Sequence, residues 1–303
     1  MSSPAAPRLD IALLVLLAFL WGSSFTLIEV ALDTVPPATI VAGRLTLAAL
    51  VLMALVAIRR LPLPKTPRRW GALAGQGALQ TALPFSLISW GQQHIDSGMA
   101  SLLSTTPPLF VFLIGFVLLK EREAAGRKLL GVTLGFSGVL AIMGPAALAS
   151  KDSQLAGQLA VVAASLCYGV SALNARRFAD QPALITAACS MGFGALLMIP
   201  IALAVDAPLA RAPDAKALAA IAALGLLSTA LASVVFFRLV RTLGPLGVTT
   251  GSYMRAGFSI LLGTWLLGEA VTPALAIGLM LIFLGVALVT GLLRPRRARS
   301  LRG

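Results

Sequence analysis

The chain has 303 residues, of which 58% are apolar and only 12% charged, and its mean hydropathy is +0.93. A soluble core of this length cannot bury so much apolar surface, so the composition excludes a soluble protein and predicts one surrounded by membrane lipids. The formal charge of +13 does not indicate a nucleic-acid partner, because the basic residues lie between apolar blocks and do not cluster with aromatic residues on one face.

Ten apolar blocks follow one another along the chain, each long enough for a membrane-spanning helix of about 20 residues. They cover residues 11–32, 37–58, 70–92, 97–119, 127–144, 155–175, 183–204, 217–240, 246–268 and 273–293. The first block is too long for a signal-peptide core and lacks a small-residue cleavage site, so we expect it to remain as a transmembrane helix. The connections are short, and we expect no soluble domain between the helices.

The sequence repeats one plan in two halves. The run 118–121 (LLKE) returns 148 residues later as 266–269 (LLGE), and a glycine-studded last helix follows each copy. Five helices per half is an odd number, so the second half must enter the membrane in the opposite direction. We therefore predict an all-α membrane protein with ten transmembrane helices, arranged as two inverted five-helix repeats, residues 1–148 and 149–303, around a central cavity.

The arginines and lysines predict the orientation, because they favour cytoplasmic segments. With the N-terminus in the cytoplasm, nineteen of the 24 basic residues fall in cytoplasmic segments and three in outer ones. Both termini are then cytoplasmic, and the basic tail after residue 293 lies on the anionic inner leaflet. The two remaining basic residues, Arg44 and Arg255, fall inside predicted helices.

An arginine at membrane depth is costly and has to face a carboxylate, water or the bundle interior. Arg255 lies nine residues into its helix, and Arg44 seven residues into helix 2. Either side chain could bind an anionic group of a solute, such as a carboxylate. Each could instead be structural, paired with Glu29, with Asp33 or with backbone carbonyls.

Polar and small residues recur at helical spacing on several helices and form stripes that could line one wet path. Such stripes can also serve close helix packing, because small residues let helices approach and hydroxyls can bond back to the backbone. Trp21 and Tyr168, at corresponding positions of the two halves, could wall the path for an aromatic solute or could face lipid. The predicted path residues are Trp21, Gly22, Thr26, Arg44, Gln80, Ser104, Tyr168, Ser252, Tyr253, Arg255 and Ser259.

The last helix of each half has a different character, since its glycines lie among aliphatic residues. Gly131, Gly135 and Gly138 in the first half, with Gly278 and Gly285 in the second, favour tight helix contacts, within one chain or between two. An acidic residue precedes each of these helices, Glu121 and Glu269. It could cap a helix N-terminus, where the helix dipole favours a negative charge, or it could couple transport to protons.

Motifs of known enzyme classes do not occur in the sequence. It has no Walker loop, no dinucleotide-binding glycine pattern, no metal-ligand spacing and no nucleophile with a histidine to activate it. Cys167 and Cys189 both fall inside apolar blocks, where we expect neither a disulfide nor a metal site. We therefore predict no catalytic residue, no metal and no cofactor.

The chain resembles the drug/metabolite transporter superfamily, and within it the EamA-type ten-helix transporters. The resemblance rests on Trp21-Gly22-Ser23-Ser24-Phe25, Pro37 followed by Arg44, Pro107-Pro108, and the Glu121 and Glu269 corners. It covers residues 11 to 293, although Gln181-Pro182 in the second half has no following arginine that would match Arg44. It implies a cavity lined by helices 1 to 4 and 6 to 9, with helices 5 and 10 set apart, and its nearest type is the bacterial exporter of aromatic amino acids.

These expectations combine into one function. We expect a bacterial inner-membrane protein that exports small organic solutes by alternating access, above all amino acids, aromatic and other neutral ones. The alternatives are transport of drug-like or sugar-nucleotide solutes, a non-transporting scaffold and a lipid-modifying enzyme. The sequence leaves the coupling ion and the oligomeric state open.

Overall fold

The structure, a computed structural model, describes residues 5–117, 125–149, 153–206, 213–249 and 251–290 and most of their side chains. Glu121 lies outside these ranges, and so do the side chains of Ser252 and Tyr253. Every regular element within the described ranges is helical. The α-helices are α1 (Ala5–Leu32), α2 (Pro37–Ile58), α3 (Pro67–Gly77), α4 (Leu83–Gly91), α5 (Ser97–Leu103), α6 (Pro107–Val117), α7 (Ala125–Ala149), α8 (Ser153–Ala175), α9 (Ala183–Val205), α10 (Ala215–Ala223), α11 (Ala232–Thr249), α12 (Gly251–Leu262) and α13 (Pro273–Thr290).

Six helical stretches in the described ranges are long and apolar enough to cross a membrane. They are Leu9–Leu32, Pro37–Ile58, Ser97–Val117, Ser153–Phe178, Ala183–Val205 and Ala215–Leu243. Shorter apolar helices lie at Leu129–Ile142, Met254–Leu267 and Pro273–Gly285. The chain is therefore an all-helical membrane protein, and the count of ten crossings stays a prediction.

Three α-helical stretches are extended by π-helical turns, at Ala78–Ala82, Leu224–Leu231 and Gly263–Leu267. The first of these joins α3 to α4 and immediately precedes Pro84, whose missing N–H leaves the carbonyl four residues earlier without its usual donor. Shifted by the 148-residue repeat offset, it falls within the second, which joins α10 to α11 and contains no proline. The two halves therefore share a π-helical turn at corresponding positions, and this turn does not depend on a proline.

One predicted boundary is wrong, and one predicted span contains a break. The span 97–119 is present as Ser97–Val117, but it is interrupted between α5, which ends at Leu103, and α6, which begins at Pro107, because two successive prolines remove two backbone donors. The predicted break between helices 8 and 9 lies later in the chain than expected, because α11 continues through Pro245 to Thr249. A proline inside a membrane helix costs one hydrogen bond and does not have to end the helix.

Helix ends from both halves meet at one end of the bundle, which we call the Glu269 end. Glu269, which follows α12, accepts hydrogen bonds from the backbone N–H groups of Ser97 and Gly98 at the start of α5, both at 2.9 Å. Asp206, which follows α9, accepts from the backbone N–H of Thr39 in α2 at 2.6 Å and from its hydroxyl at 2.9 Å. Glu269 therefore caps a helix of the other half and not the one that follows it.

The opposite end of the bundle, the Arg69 end, is also joined across the two halves. Arg69 at the start of α3 forms an ion pair with Asp180 between α8 and α9, and it donates to Gln181 at 3.3 Å. The Arg69 hydrogen bond lowers the pKa of Asp180. The α3–α4 stretch then runs to the Glu269 end, where Gln92 donates to Glu29 near the end of α1 at 3.1 Å. Helix α1 thus ends at the Glu269 end, and α8 ends at the Arg69 end.

Helices α7 and α13 pack against each other through their glycines. A Cβ added to Gly138 would lie 2.7 Å from the Gly278 carbonyl oxygen and 2.8 Å from the Ile282 nitrogen. A Cβ on Gly285 would lie 2.5 Å from the Gly135 nitrogen. Distances this short leave no room for a side chain, so the glycines allow backbone-to-backbone contact, as the sequence predicted. The contact lies within one chain, a point that the sequence left open.

Candidate functional site

A cavity lies at the centre of the bundle, between helices from both halves. Its walls come from α1, α2, α4, α6, α8, α9, α11 and α12 and from the first π-helical turn, whereas none of the described side chains of α7 and α13 lines it. The residues that line it are Trp21, Ser24, Phe25, Ile28, Arg44, Gln80, Thr81, Phe85, Ile88, Pro107, Tyr168, Ala172, Met191, Ser233, Phe236, Val248 and Arg255. Five of the predicted path residues are among them: Trp21, Arg44, Gln80, Tyr168 and Arg255.

Arg44 enters the cavity wall from α2 and is 2% exposed. Its Nε donates to the hydroxyl of Thr229 at 3.0 Å, and its guanidinium carbon lies 4.0 Å from the centre of the Phe85 ring. Stacking on an aromatic ring suits a weakly hydrated guanidinium. Its two terminal nitrogens make no hydrogen bond to a described residue, and neither Glu29 nor Asp33 pairs with it.

Arg255 enters the wall from α12 and is 6% exposed. Its Nη2 donates to the hydroxyl of Ser104 at 3.0 Å and also to the Ser104 backbone carbonyl. That carbonyl is free because the residue four positions later, Pro108, has no N–H. The guanidinium carbon lies 5.8 Å from the centre of the Phe25 ring, and the buried Nε has no partner among the described residues.

No acidic side chain in the described ranges lines the cavity. The sequence contains eleven acidic residues. Eight lie in described ranges and outside the cavity wall: Asp10, Glu29, Asp33, Asp96, Asp180, Asp206, Asp214 and Glu269. The other three, Glu121, Glu123 and Asp152, fall outside the described residues. The cavity therefore presents two buried cations whose described partners are neutral.

Aromatic side chains form much of the remaining wall. Trp21 packs on Phe236 with ring centres 5.4 Å apart, and Phe25, Phe85 and Tyr168 complete the set. Tyr168 lies within electrostatic range of both arginines. Flat apolar surfaces beside fixed polar groups are typical of small-molecule sites, in which the apolar wall contributes affinity and the polar groups fix the orientation.

Gln80 belongs to a polar network that joins the first half to α8. Gln76 donates to the hydroxyl of Ser171 at 3.1 Å and to the side-chain oxygen of Gln80 at 3.5 Å. Ser171 donates to the same Gln80 oxygen, and Asn174 donates to Gln76 at 2.8 Å. The Gln80 oxygen already accepts two hydrogen bonds, so it has little capacity left for a solute.

Four other predicted path residues, Gly22, Thr26, Ser104 and Ser259, lie beside the cavity and do not line it. The side chains of Ser252 and Tyr253 lie outside the described part of the chain. Gly22 lets α1 approach α12, since a Cβ there would lie 2.7 Å from the Arg255 carbonyl oxygen. Thr26 and Ser259 are buried, and their hydroxyls have no partner among the described residues. Ser104 acts through Arg255, as described above. The ninth predicted helix, residues 246–268, contains α12. Its Arg255 and Ser259 face inward, since both are buried, whereas Leu261 and Trp265 are exposed.

Several wall residues were missed by the sequence reasoning. Phe85, Met191, Ser233 and Phe236 line the cavity, but they interrupt no pattern and carry no charge that would single them out. Thr229, the partner of Arg44, lies 148 residues after Thr81, so the two threonines correspond at the repeat offset. A polar residue kept at the same place in both halves was the available signal.

Two matches to one family model decide the kind of protein. A model of the EamA-like transporter family matches residues 8–144 and again residues 155–291. The chain belongs to this family. It is therefore a membrane transporter by family, and the resemblance stated from its residues is confirmed.

Curated relatives extend over most of the chain. "Uncharacterized inner membrane transporter YedA" of Escherichia coli (strain K12) is 25% identical over 279 residues, covering 90% of this chain and 88% of YedA. "Probable terminal-alkyne amino-acid exporter" of Streptantibioticus cattleyicolor is 29% identical over 295 residues, covering 95% of each chain. A crystal structure of a protein 22% identical to this one has a TM-score of 0.69 and covers 94% of this chain and 99% of that chain, so the two share a fold.

Proposed function

We propose that this protein exports small organic metabolites, above all amino acids, aromatic and other neutral ones, across the bacterial inner membrane through the central cavity. The observation that carries the proposal is the pair Arg44 and Arg255 in an aromatic wall. A carboxylate can bind a guanidinium through two parallel hydrogen bonds. An apolar side chain fits the surfaces of Trp21, Phe85 and Phe236.

The relatives support the amino-acid class without deciding it. One of them is named as an exporter of terminal-alkyne amino acids, a statement about that protein alone, and YedA is named as an inner-membrane transporter without a substrate. All amino acids carry a carboxylate, and a cationic side chain such as that of Arg44 or Arg255 can bind it.

Alternating access is the mechanism we propose, with residues 1–148 and 149–303 as inverted repeats that move against each other. Helix α1 and its counterpart α8 end at opposite ends of the bundle, as inverted repeats require. Contacts between the halves join both ends of the bundle: Glu269 with Ser97 and Gly98 at one, Arg69 with Asp180 at the other. Breaking one set while the other holds would open the cavity to one side at a time. The loop charges place both termini and the Arg69 end in the cytoplasm.

Proteoliposomes test the proposal. The purified protein is reconstituted, the vesicles are loaded with unlabelled solute, and entry of labelled phenylalanine, methionine or threonine is followed. We expect faster entry than into protein-free vesicles for at least one of the three. If none enters faster, the amino-acid assignment is wrong, and a panel of drug-like and sugar-nucleotide solutes then separates another transport substrate from a scaffold or a lipid-modifying enzyme.

A further inference from the structure

The charge of the cavity is not balanced by its own walls. Arg44 and Arg255 are both buried, and each donates only to neutral oxygens among the described residues, those of Thr229 and Ser104. Removing a charge from water is expensive unless an opposite charge or several hydrogen bonds replace the water. A guanidinium has five N–H donors, so most of the hydrogen-bonding capacity of these two remains unused by described residues.

The chain places its acidic groups elsewhere. Glu269 caps α5, Asp206 binds Thr39, and Asp180 pairs with the exposed Arg69. A protein that needed the two buried arginines only for structure would be more stable with a carboxylate beside each, because an unpaired buried charge destabilises the fold. We therefore expect the solute that enters the cavity to supply the negative charge that the described walls lack.

We propose, on the basis of the transport function proposed above but as a different choice of solute from the neutral amino acids, that the solute that fits best carries two separate negatively charged groups on an aromatic or apolar body and no ammonium group. Arg44 binds one anionic group and Arg255 the other. A neutral amino acid satisfies one arginine with its carboxylate, but it brings its own ammonium ion into a cavity that already holds two cations. The side-chain acceptors on the described wall are the Gln80 oxygen, which is already occupied, and the hydroxyls of Ser24, Thr81, Tyr168 and Ser233, and none of them carries a negative charge that would offset an ammonium ion.

Two groups fit better than one doubly charged group because each arginine is fixed by its own anchor on a different helix. Arg44 stacks on Phe85 and binds Thr229, whereas Arg255 is fixed to Ser104 at the break between α5 and α6. They extend from α2 and α12, one in each half of the chain. A solute that binds both arginines therefore contacts both halves of the chain. In alternating access the two halves move against each other, so binding energy between them can shift the equilibrium between the two states.

Four ligands with the same phenylalkyl body test this charge preference. The full chain, purified in detergent at pH 8, is titrated by calorimetry with phenylalanine (net charge zero), 3-phenylpropionate (one negative charge), benzylsuccinate (two separate carboxylates) and 2-phenylethyl phosphate (two charges on one group). We expect benzylsuccinate to bind about tenfold or more tightly than phenylalanine, with 3-phenylpropionate between them. Phenylalanine binding as tightly as benzylsuccinate would overturn the proposal, and tighter binding of the phosphate would overturn the two separate groups.

Variants assign the two groups to the two arginines. Arg44→Gln and Arg255→Gln should each lower the affinity for benzylsuccinate to about that for 3-phenylpropionate in the wild type. Arg238→Gln, which removes an exposed arginine of α11 outside the cavity, should leave it unchanged. If neither Arg44→Gln nor Arg255→Gln changes the affinity for benzylsuccinate, the ligand binds outside the cavity and the proposal is wrong. The ligand series on the wild type remains decisive if Arg255→Gln does not fold.

The vesicle assay separates the two proposals. If phenylalanine is transported but benzylsuccinate binds no better, the export function stands and the charge preference fails. If benzylsuccinate exchanges and no amino acid does, the preference stands and the amino-acid assignment fails. If no organic solute crosses and none binds, both are wrong.

Discussion

Arg255 donates a hydrogen bond to the Ser104 backbone carbonyl, the carbonyl that Pro108 leaves without a donor in its own helix. Pro108 thus contributes to the break in a membrane helix, and it leaves an acceptor at the cavity wall that binds a cation from the other half of the chain. Pro107 likewise has no N–H for the Leu103 carbonyl four residues earlier. That carbonyl accepts a hydrogen bond from the hydroxyl of Ser165 at 3.1 Å. The irregular backbone is tolerated because it is buried in protein and its groups find partners.

Replacing the proline should release the arginine. In Pro108→Ala the restored N–H competes with Arg255 for the Ser104 carbonyl, so Arg255 loses its anchor while α6 gains a hydrogen bond. We expect solute flux in proteoliposomes to fall roughly tenfold, as a misplaced binding group does, with little loss of thermal stability. Pro200→Ala, in an exposed part of α9, is the control and should retain flux. Unchanged flux in Pro108→Ala would mean that the position of Arg255 is unimportant.

Removing the arginine itself should reduce function more than folding. Arg255→Ala deletes a cation that lines the cavity, and we expect at least a tenfold loss of flux with a much smaller loss of folded yield. Arg238→Ala serves as the matched control, since that side chain is exposed and lies outside the cavity. Both quantities are measured on the same preparations, by size-exclusion recovery and vesicle uptake. Equal losses of flux and yield would assign Arg255 a structural role.

The α7–α13 contact should affect stability without affecting the solute site. In Gly138→Ala the new Cβ would approach the Gly278 carbonyl oxygen to 2.7 Å, so the two backbones have to move apart. We expect a loss of about 1–3 kcal/mol and a lower melting temperature in detergent, with ligand affinity unchanged. Gly75→Ala meets no atom within 4 Å and should gain up to about 1 kcal/mol from helix propensity. Equal melting temperatures for the two variants would contradict the packing described here.

The cap at the Glu269 end should favour its closed form. Glu269→Ala removes the acceptor of the Ser97 and Gly98 N–H groups, at a cost of about 1–2 kcal/mol for a helix cap. The cavity should then open more often at that end, which faster labelling of a cysteine placed at Ile28 would report. Asp96→Ala removes a neighbouring exposed carboxylate that caps nothing and should not change the rate. An unchanged labelling rate in Glu269→Ala as well would contradict the role of the cap.

Composition and the length of the apolar blocks predicted the membrane helices, and the glycines among aliphatic residues predicted tight contacts of the last helix of each half, because each depends on a local pattern. The partners of the arginines did not follow from the sequence. Thr229, Phe85 and the Ser104 carbonyl are brought to Arg44 and Arg255 by tertiary packing across the two halves. Pro108 contributes to the family resemblance as part of Pro107-Pro108. Its effect on the carbonyl four residues earlier becomes apparent only when the Arg255 donor from another helix is seen beside that carbonyl.

Solute protection of a cysteine in the wall tests most directly whether the Arg44–Arg255 cavity is the transport path. In a chain with Cys167→Ala and Cys189→Ala, Ser233→Cys places a thiol on the cavity wall and Leu197→Cys one on the exposed surface of α9. A membrane-impermeant thiol reagent is applied to reconstituted protein with and without a transported solute. We predict that Ser233→Cys is labelled, that saturating solute slows its labelling, and that Leu197→Cys is unaffected by solute. A cysteine at position 233 that is labelled at the same rate with and without solute, or not at all, would contradict the account.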